Sequence, residues 1–205
     1  MSNGPELDPF SAKQADVTPV EVPPERTALL CVDLVNDYLE PAGAMPVAGP
    51  EPVLAAAARL VEAGRGAGAR VVWVRPGHLE PEDGLFRKRI VHALGESWGA
   101  QVHDSLPVRD GDRVLRKRRY SAFFGTDLDL YLREHDIRRV VAVGVALNIC
   151  VRSTVHDAFF HGYDVWVVPE ACQATGPREE ASTLFDISTH FGTVVPLADA
   201  LRAWS

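Results

Sequence analysis

Val140–Thr154 reads VVAVGVALNICVRST. Val140, Val141, Val143 and Val145 form an apolar, β-branched run, the composition of a strand buried on both faces of a parallel sheet. A short turn follows, and a helical pattern begins around Asn148. Cys150 therefore falls in the first turn of a helix that leaves a buried strand. A helix N-terminus carries partial positive charge and unpaired N–H groups, which favour a thiolate and supply donors for an oxyanion. The competing reading of a lone cysteine after a strand is a buried structural thiol.

The same strand-then-helix pattern repeats outward. Strands are expected over Thr27–Val35, Ala69–Arg75, Arg113–Lys117, Arg139–Ala146 and Asp164–Val168, with a last one opening at Thr193–Pro196. Between them lie helical patterns. One is the Ala-rich stretch Glu51–Ala63, ended by Gly64, Gly66 and Gly68. The others are Thr126–Asp136, with Thr126 and Asp129 as a capping box, then Asn148–Phe160 ended by Gly162, and Glu179–Phe191. Strands alternating with helices argue for a three-layer α/β fold around a parallel sheet. Residues 1–25 are rich in proline and lack sustained periodicity, so they read as an N-terminal arm or tail. Residues 26–205 form one domain, a length that buries a sizeable core.

Two more strand ends carry chemistry. Asp33, in LLCVDLVN, ends an apolar run, where a carboxylate is costly unless paired. Its plain alternative is a turn cap. Lys117 ends the short strand of DRVLRKRRYSAFF, whose Arg116–Arg119 also reads as a solvated basic face or a phosphate-binding patch. Phe123 and Phe124 would then be ordinary core. Ligands of open parallel sheets bind outside the carboxyl ends of the strands. A carboxylate, an ammonium and a thiol at three such ends form a complementary set.

Asp33 in VDLVND, Lys117 in KRRYSAFFGTDLD and Cys150 in GVALNICVRSTVHDAF resemble the Asp-Lys-Cys motifs of the isochorismatase-like cysteine hydrolases. The resemblance runs from about Thr27 to the C-terminus. Val35 stands where the family usually has Gln, and Leu147 where it usually has Thr; both departures bear on substrate identity. The resemblance implies a six-stranded sheet ordered 3-2-1-4-5-6, which makes the Asp33 and Cys150 strands neighbours. It also implies roles. Lys117 stabilises the Cys150 thiolate, Asp33 takes the thiol proton, and the backbone N–H groups of Ala146 and Cys150 hold the oxyanion. The bond before Ala146 is implied to be cis. The product of attack is a thioester that water hydrolyses.

Within the family, the lysine segment is most similar to members acting on ureido and carbamoyl compounds, such as ureidoacrylate, N-carbamoylsarcosine and biuret amidohydrolases. Arg75, Arg118 and Arg119 are candidates to pair with a substrate carboxylate. Asn36, Tyr38, Trp98, Tyr120 and Phe124 are candidate pocket residues, and Asn148 a candidate brace of the cysteine turn. Nicotinamidases of the family carry an Asp and two His as metal ligands after the second strand. Here that stretch is RPGHLEPEDG, with only His78 and Glu80 in place, so no metal or other cofactor is expected. A local Cys–His pair is not expected either. His156 lies six positions past Cys150 and His161 eleven, outside the three-or-four spacing of helix neighbours. Cys31 and Cys172 read as buried structural thiols, and Trp73 and Trp166 as core.

The formal net charge of −7 and the absence of a basic stripe argue against nucleic-acid binding. No apolar run is long enough for a membrane span, and MSNGPELDPFSAKQ lacks a signal-sequence pattern. Three cysteines without such a signal suggest a reducing cytoplasm. The expected partner is a small amide or ureido substrate. The resemblance further implies a homodimer or homotetramer. Alternatives that remain open are a vinyl-ether hydrolase, a nicotinamidase-like amidase and a non-enzymatic binding module.

Overall fold

The structure, a computed structural model, describes residues 20–205. The expected N-terminal arm lies outside the described residues apart from its last few positions. There, residues 24–26 make a single 3-10 turn, and Arg139 donates to the carbonyl of Val20 at 2.7 Å.

The elements follow in chain order as β1 (Thr27–Val32), α1 (Asn36–Leu39), α2 (Glu51–Gly66), β2 (Arg70–Pro76), β3 (Arg113–Lys117), α3 (Leu128–Glu134), β4 (Arg139–Val145), α4 (Arg152–Phe160), β5 (Asp164–Gln173), α5 (Pro177–Asp186), β6 (Thr193–Val194) and α6 (Leu197–Ala203). The strands form one six-stranded sheet in the order β3-β2-β1-β4-β5-β6, with every pairing parallel. Helices flank it in a three-layer α/β/α arrangement. The sequence-based order therefore holds. Every residue of β1 and β4 is buried, which is why both read as apolar runs after their first residues, Thr27 and Arg139. β3 is an edge strand with alternating burial, matching its charged sequence. No described helix is long and apolar enough to cross a membrane.

Several boundaries differ from expectation, each for a physical reason. α2 does not stop at Ala63 but runs through Gly66. A Cβ on Gly64 would come within 3.0 Å of the Trp204 ring, so this glycine serves close packing against the segment ending α6. β5 continues past Val168 to Gln173 because the sheet accommodates Pro169 at an irregularity: Ala142 pairs with Val167, but Gly144 pairs with Cys172. The helix after β4 opens with a π-type turn, Leu147–Val151, before α4 begins. Thr126 does accept from the Leu128 N–H at 3.2 Å, but Asp129 bonds Arg133 and Tyr163 rather than closing a capping box.

The order reverses between β1 and β4, and their carboxyl ends open the crevice where ligands bind in such sheets. Gly144 lets those strands approach. It has φ +125°, and an added Cβ would strike the Val32 carbonyl oxygen. Gly144→Ala is therefore expected to cost about 2 kcal/mol or more of stability. A denaturant midpoint equal to that of the parent protein would show that the contact can relax.

Candidate active site

Three strand ends converge on one buried point. Asp33 follows β1 with φ 55°, a left-handed conformation that Asp tolerates better than most residues. Its N–H still bonds the Val74 carbonyl at 2.7 Å, so the turn is anchored to β2. Lys117 ends β3, two strands from β1, and its side chain spans β2 to bring Nζ within 2.8 Å of Asp33 Oδ2. Both side chains are buried, with 3% and 0% of their surface exposed. The Cys150 thiol, in the π-type turn after β4, is buried beside this pair and interacts electrostatically with both Asp33 and Lys117. The Val145–Ala146 peptide that precedes this turn is cis.

Electrostatics follow from burial and from this pairing. Burial alone would lower the Lys117 ammonium, but Asp33 and Cys150 outweigh it and leave its pKa raised. Burial pushes the Cys150 thiol up, the Asp33 carboxylate adds to the rise, and Lys117 opposes it. Desolvation and the adjoining carboxylate act against the thiolate that a helix terminus by itself favours.

Long-range hydrogen bonds hold the three groups in place. Thr154 Oγ1 donates to the Cys150 carbonyl at 2.8 Å and accepts from the Ala122 N–H at 3.1 Å, tying the cysteine turn to the segment after Lys117. Asn148 braces the same turn from the other side. Its Nδ2 donates to Thr175 Oγ1 at 2.9 Å, and its Oδ1 accepts from the Thr175 N–H at 3.0 Å.

A cavity of about 110 Å³ opens over Cys150, lined by Tyr38, Met45, Val47, Arg89, His92, Tyr120, Val145, Ala146, Ile149 and Thr175. Tyr38 and Tyr120 stand where the sequence suggested. Trp98 and Phe124 do not line it; Trp98 is 52% and Phe124 65% exposed. Asn36 lies beside the site rather than in its wall and donates to the Trp98 carbonyl at 2.9 Å. Val35 and Leu147, the departures from the family pattern, are buried in packing and face no part of the cavity. His156 stacks on Phe191 and His161 on Phe123, so neither serves Cys150.

Met45, Val47, Arg89, His92 and Thr175 went unnoticed because they sit on loops, where periodicity carries no signal. Asp37 was missed as well. Its carboxylate is buried and accepts the Ala44 N–H at 3.0 Å and the Ala93 N–H at 2.6 Å. It thereby pins the loops carrying Met45 and His92 to α1. Gly99 makes room for it, since a Cβ there would strike the carboxylate.

The stretch after β2 does not fit a metal. Glu80 is exposed. Asp83 is buried and accepts the Leu85 N–H at 3.2 Å, Arg118 at 3.2 Å and Arg119 at 3.0 Å. Burial raises its carboxyl pKa, but that N–H and the two guanidinium groups more than reverse the effect. His78 Nδ1 lies 3.6 Å from the same carboxylate, whose cations are already supplied by the protein. Among the described residues no three His, Cys, Asp or Glu side chains gather as around an ion.

The Isochorismatase domain family matches residues 27–199, and the chain belongs to that family of hydrolases. An isochorismatase-like hydrolase from Alkaliphilus metalliredigens is 31% identical, covering 88% of this chain and 100% of its own, with a TM-score of 0.83. N-carbamoylsarcosine amidase from Thermoplasma acidophilum is 32% identical over 84% of this chain and 96% of its own, with a TM-score of 0.76. A pyrazinamidase from Pyrococcus horikoshii, solved with zinc, is 28% identical over 83% of this chain and 99% of its own, with a TM-score of 0.77.

Breaking the buried pair is costly because it strands a charge. Lys117→Met is expected to lower unfolding stability by about 3–5 kcal/mol. Lys117→Met combined with Asp33→Asn is expected to recover much of that loss. A double variant as unstable as the sum of the two single changes would show that the groups do not interact.

Proposed function

We propose that the protein is a cysteine-dependent amidohydrolase that cleaves a C–N bond of a small amide or ureido compound and releases ammonia. The observation that carries this reading is the buried Lys117–Asp33 pair, electrostatically linked to Cys150, which lines a small, mostly apolar cavity. The likeness to an N-carbamoylsarcosine amidase and a pyrazinamidase over most of the chain supports it.

In this mechanism the Cys150 sulfur attacks the substrate carbonyl carbon as its proton passes to Asp33. A raised thiol pKa suits such coupling, because the proton leaves when the carbon–sulfur bond forms. Lys117 offsets the charge that moves onto Asp33 and the sulfur. The N–H groups of Ala146 and Cys150 receive the oxyanion, an interaction whose loss costs roughly a hundredfold or more in rate. Protonated Asp33 then gives its proton to the departing nitrogen, and the C–N bond breaks. A thioester remains, or a thiocarbamate where the substrate is a ureido compound. Water deprotonated by Asp33 cleaves it, and the sulfur regains a proton. Tyr38 keeps its hydroxyl proton, since burial and then the Asp33 carboxylate push its pKa well up; it lines the cavity as a donor.

Ammonia release from ureidoacrylate, N-carbamoyl amino acids, biuret, maleamate and nicotinamide tests the proposal. Turnover of at least one compound, unchanged by chelator and lowered by about 10⁴-fold or more in Cys150→Ala, is the expected outcome. Full activity in Cys150→Ala would end the proposal.

A further inference from the structure

We infer that the substrate carries a carboxylate, and that Arg89 receives it at the rim of the cavity and sets specificity. The inference rests on reading the cavity over Cys150 as the substrate site. Arg89 is the one Lys or Arg among the lining residues, and no Asp or Glu lines the space. The remaining walls are largely apolar.

The arginines that the sequence nominated for this task are already engaged. Arg75 is buried and donates to Glu96 at 2.6 Å and to the Ala100 carbonyl at 3.3 Å. Arg118 and Arg119 both converge on Asp83. None of the three lines the cavity. Arg89 differs: its one side-chain hydrogen bond among the described residues goes to the neighbouring Lys88 carbonyl at 3.1 Å, and it pairs with no carboxylate. Most of its guanidinium fork is left for a planar anion.

A single cation at the mouth of an apolar cavity biases entry toward anions. The space is small, about 110 Å³, so a substrate with its carbonyl at Cys150 and Ala146 has few atoms to spare before its far end meets the rim. His92 adds a second polar contact. Its Nδ1 lies 2.7 Å from the Ile90 carbonyl, an acceptor only, so Nδ1 carries the hydrogen and Nε2 of the neutral ring is an acceptor. An N–H next to the scissile carbonyl suits that acceptor. The class that fits is a small carboxylic acid bearing a carbamoyl or amide group.

Binding to the Cys150→Ala protein separates recognition from turnover. Calorimetry would compare two matched pairs, N-carbamoylglycine with N-carbamoylglycinamide, and maleamate with maleamide. At least one acid is expected to bind about thirtyfold more tightly than its neutral partner, the worth of one charge-assisted contact. Adding Arg89→Gln should remove that gap, Arg89→Lys should restore part of it, and added salt should weaken only the acid. Arg89 is exposed, so unchanged thermal unfolding is expected for both variants. A gap that survives Arg89→Gln, equal binding within both pairs, or no binding of either acid would overturn the inference. Arg89-dependent acid binding with no ammonia release by the wild-type protein would instead defeat the amidohydrolase reading. Cys150-dependent release from neutral amides without any preference for acids would do the reverse.

Discussion

The contact on which the site depends is the 2.8 Å pair between Lys117 and Asp33, closed off from water. Removing two charges from solvent is expensive, and such a pair often contributes little net stability against an apolar replacement. Its value lies in what it keeps available. Without the ammonium, the carboxylate at the end of β1 would be a buried charge with no cation beside it. The sheet order makes the pair possible. β1 and β4 are neighbours where the order reverses, so Asp33 and Cys150 face one crevice, and a lysine is long enough to reach them across β2.

Around that pair, the walls are assembled by buried polar side chains acting on loops. Asp37 holds two wall segments through the Ala44 and Ala93 N–H groups. Asp83 fixes the chain after Lys117 by gathering Arg118 and Arg119. Thr154 and Asn148 secure the cysteine turn from opposite sides. Loops that carry function need such outside support, because they lack the repeating backbone ladders of helices and strands.

Much of the architecture was legible in the sequence. β1 and β4 are buried on both faces and so spell out apolar, β-branched runs, which placed Asp33 at the end of the first and Cys150 in the helical turn after the second. What stayed hidden depends on contacts between distant segments. Gly64 looked like a helix stop and is a packing site for Trp204. The fifth strand was expected to end at Val168 but continues through a register shift at Pro169. Nothing in the order of Arg87, Lys88 and Arg89 says that Arg89 alone reaches the cavity. Trp98 was expected among the pocket residues, yet the protein uses its backbone carbonyl and leaves the residue half exposed.

The most direct test of Cys150 as nucleophile is acid-quenched mass spectrometry of the protein during turnover, with and without hydroxylamine. The expected result is a mass increment confined to the peptide carrying Cys150 and discharged by hydroxylamine to a hydroxamate or hydroxyurea. An increment on another residue, or steady turnover with neither an increment nor a trapped product, would contradict it.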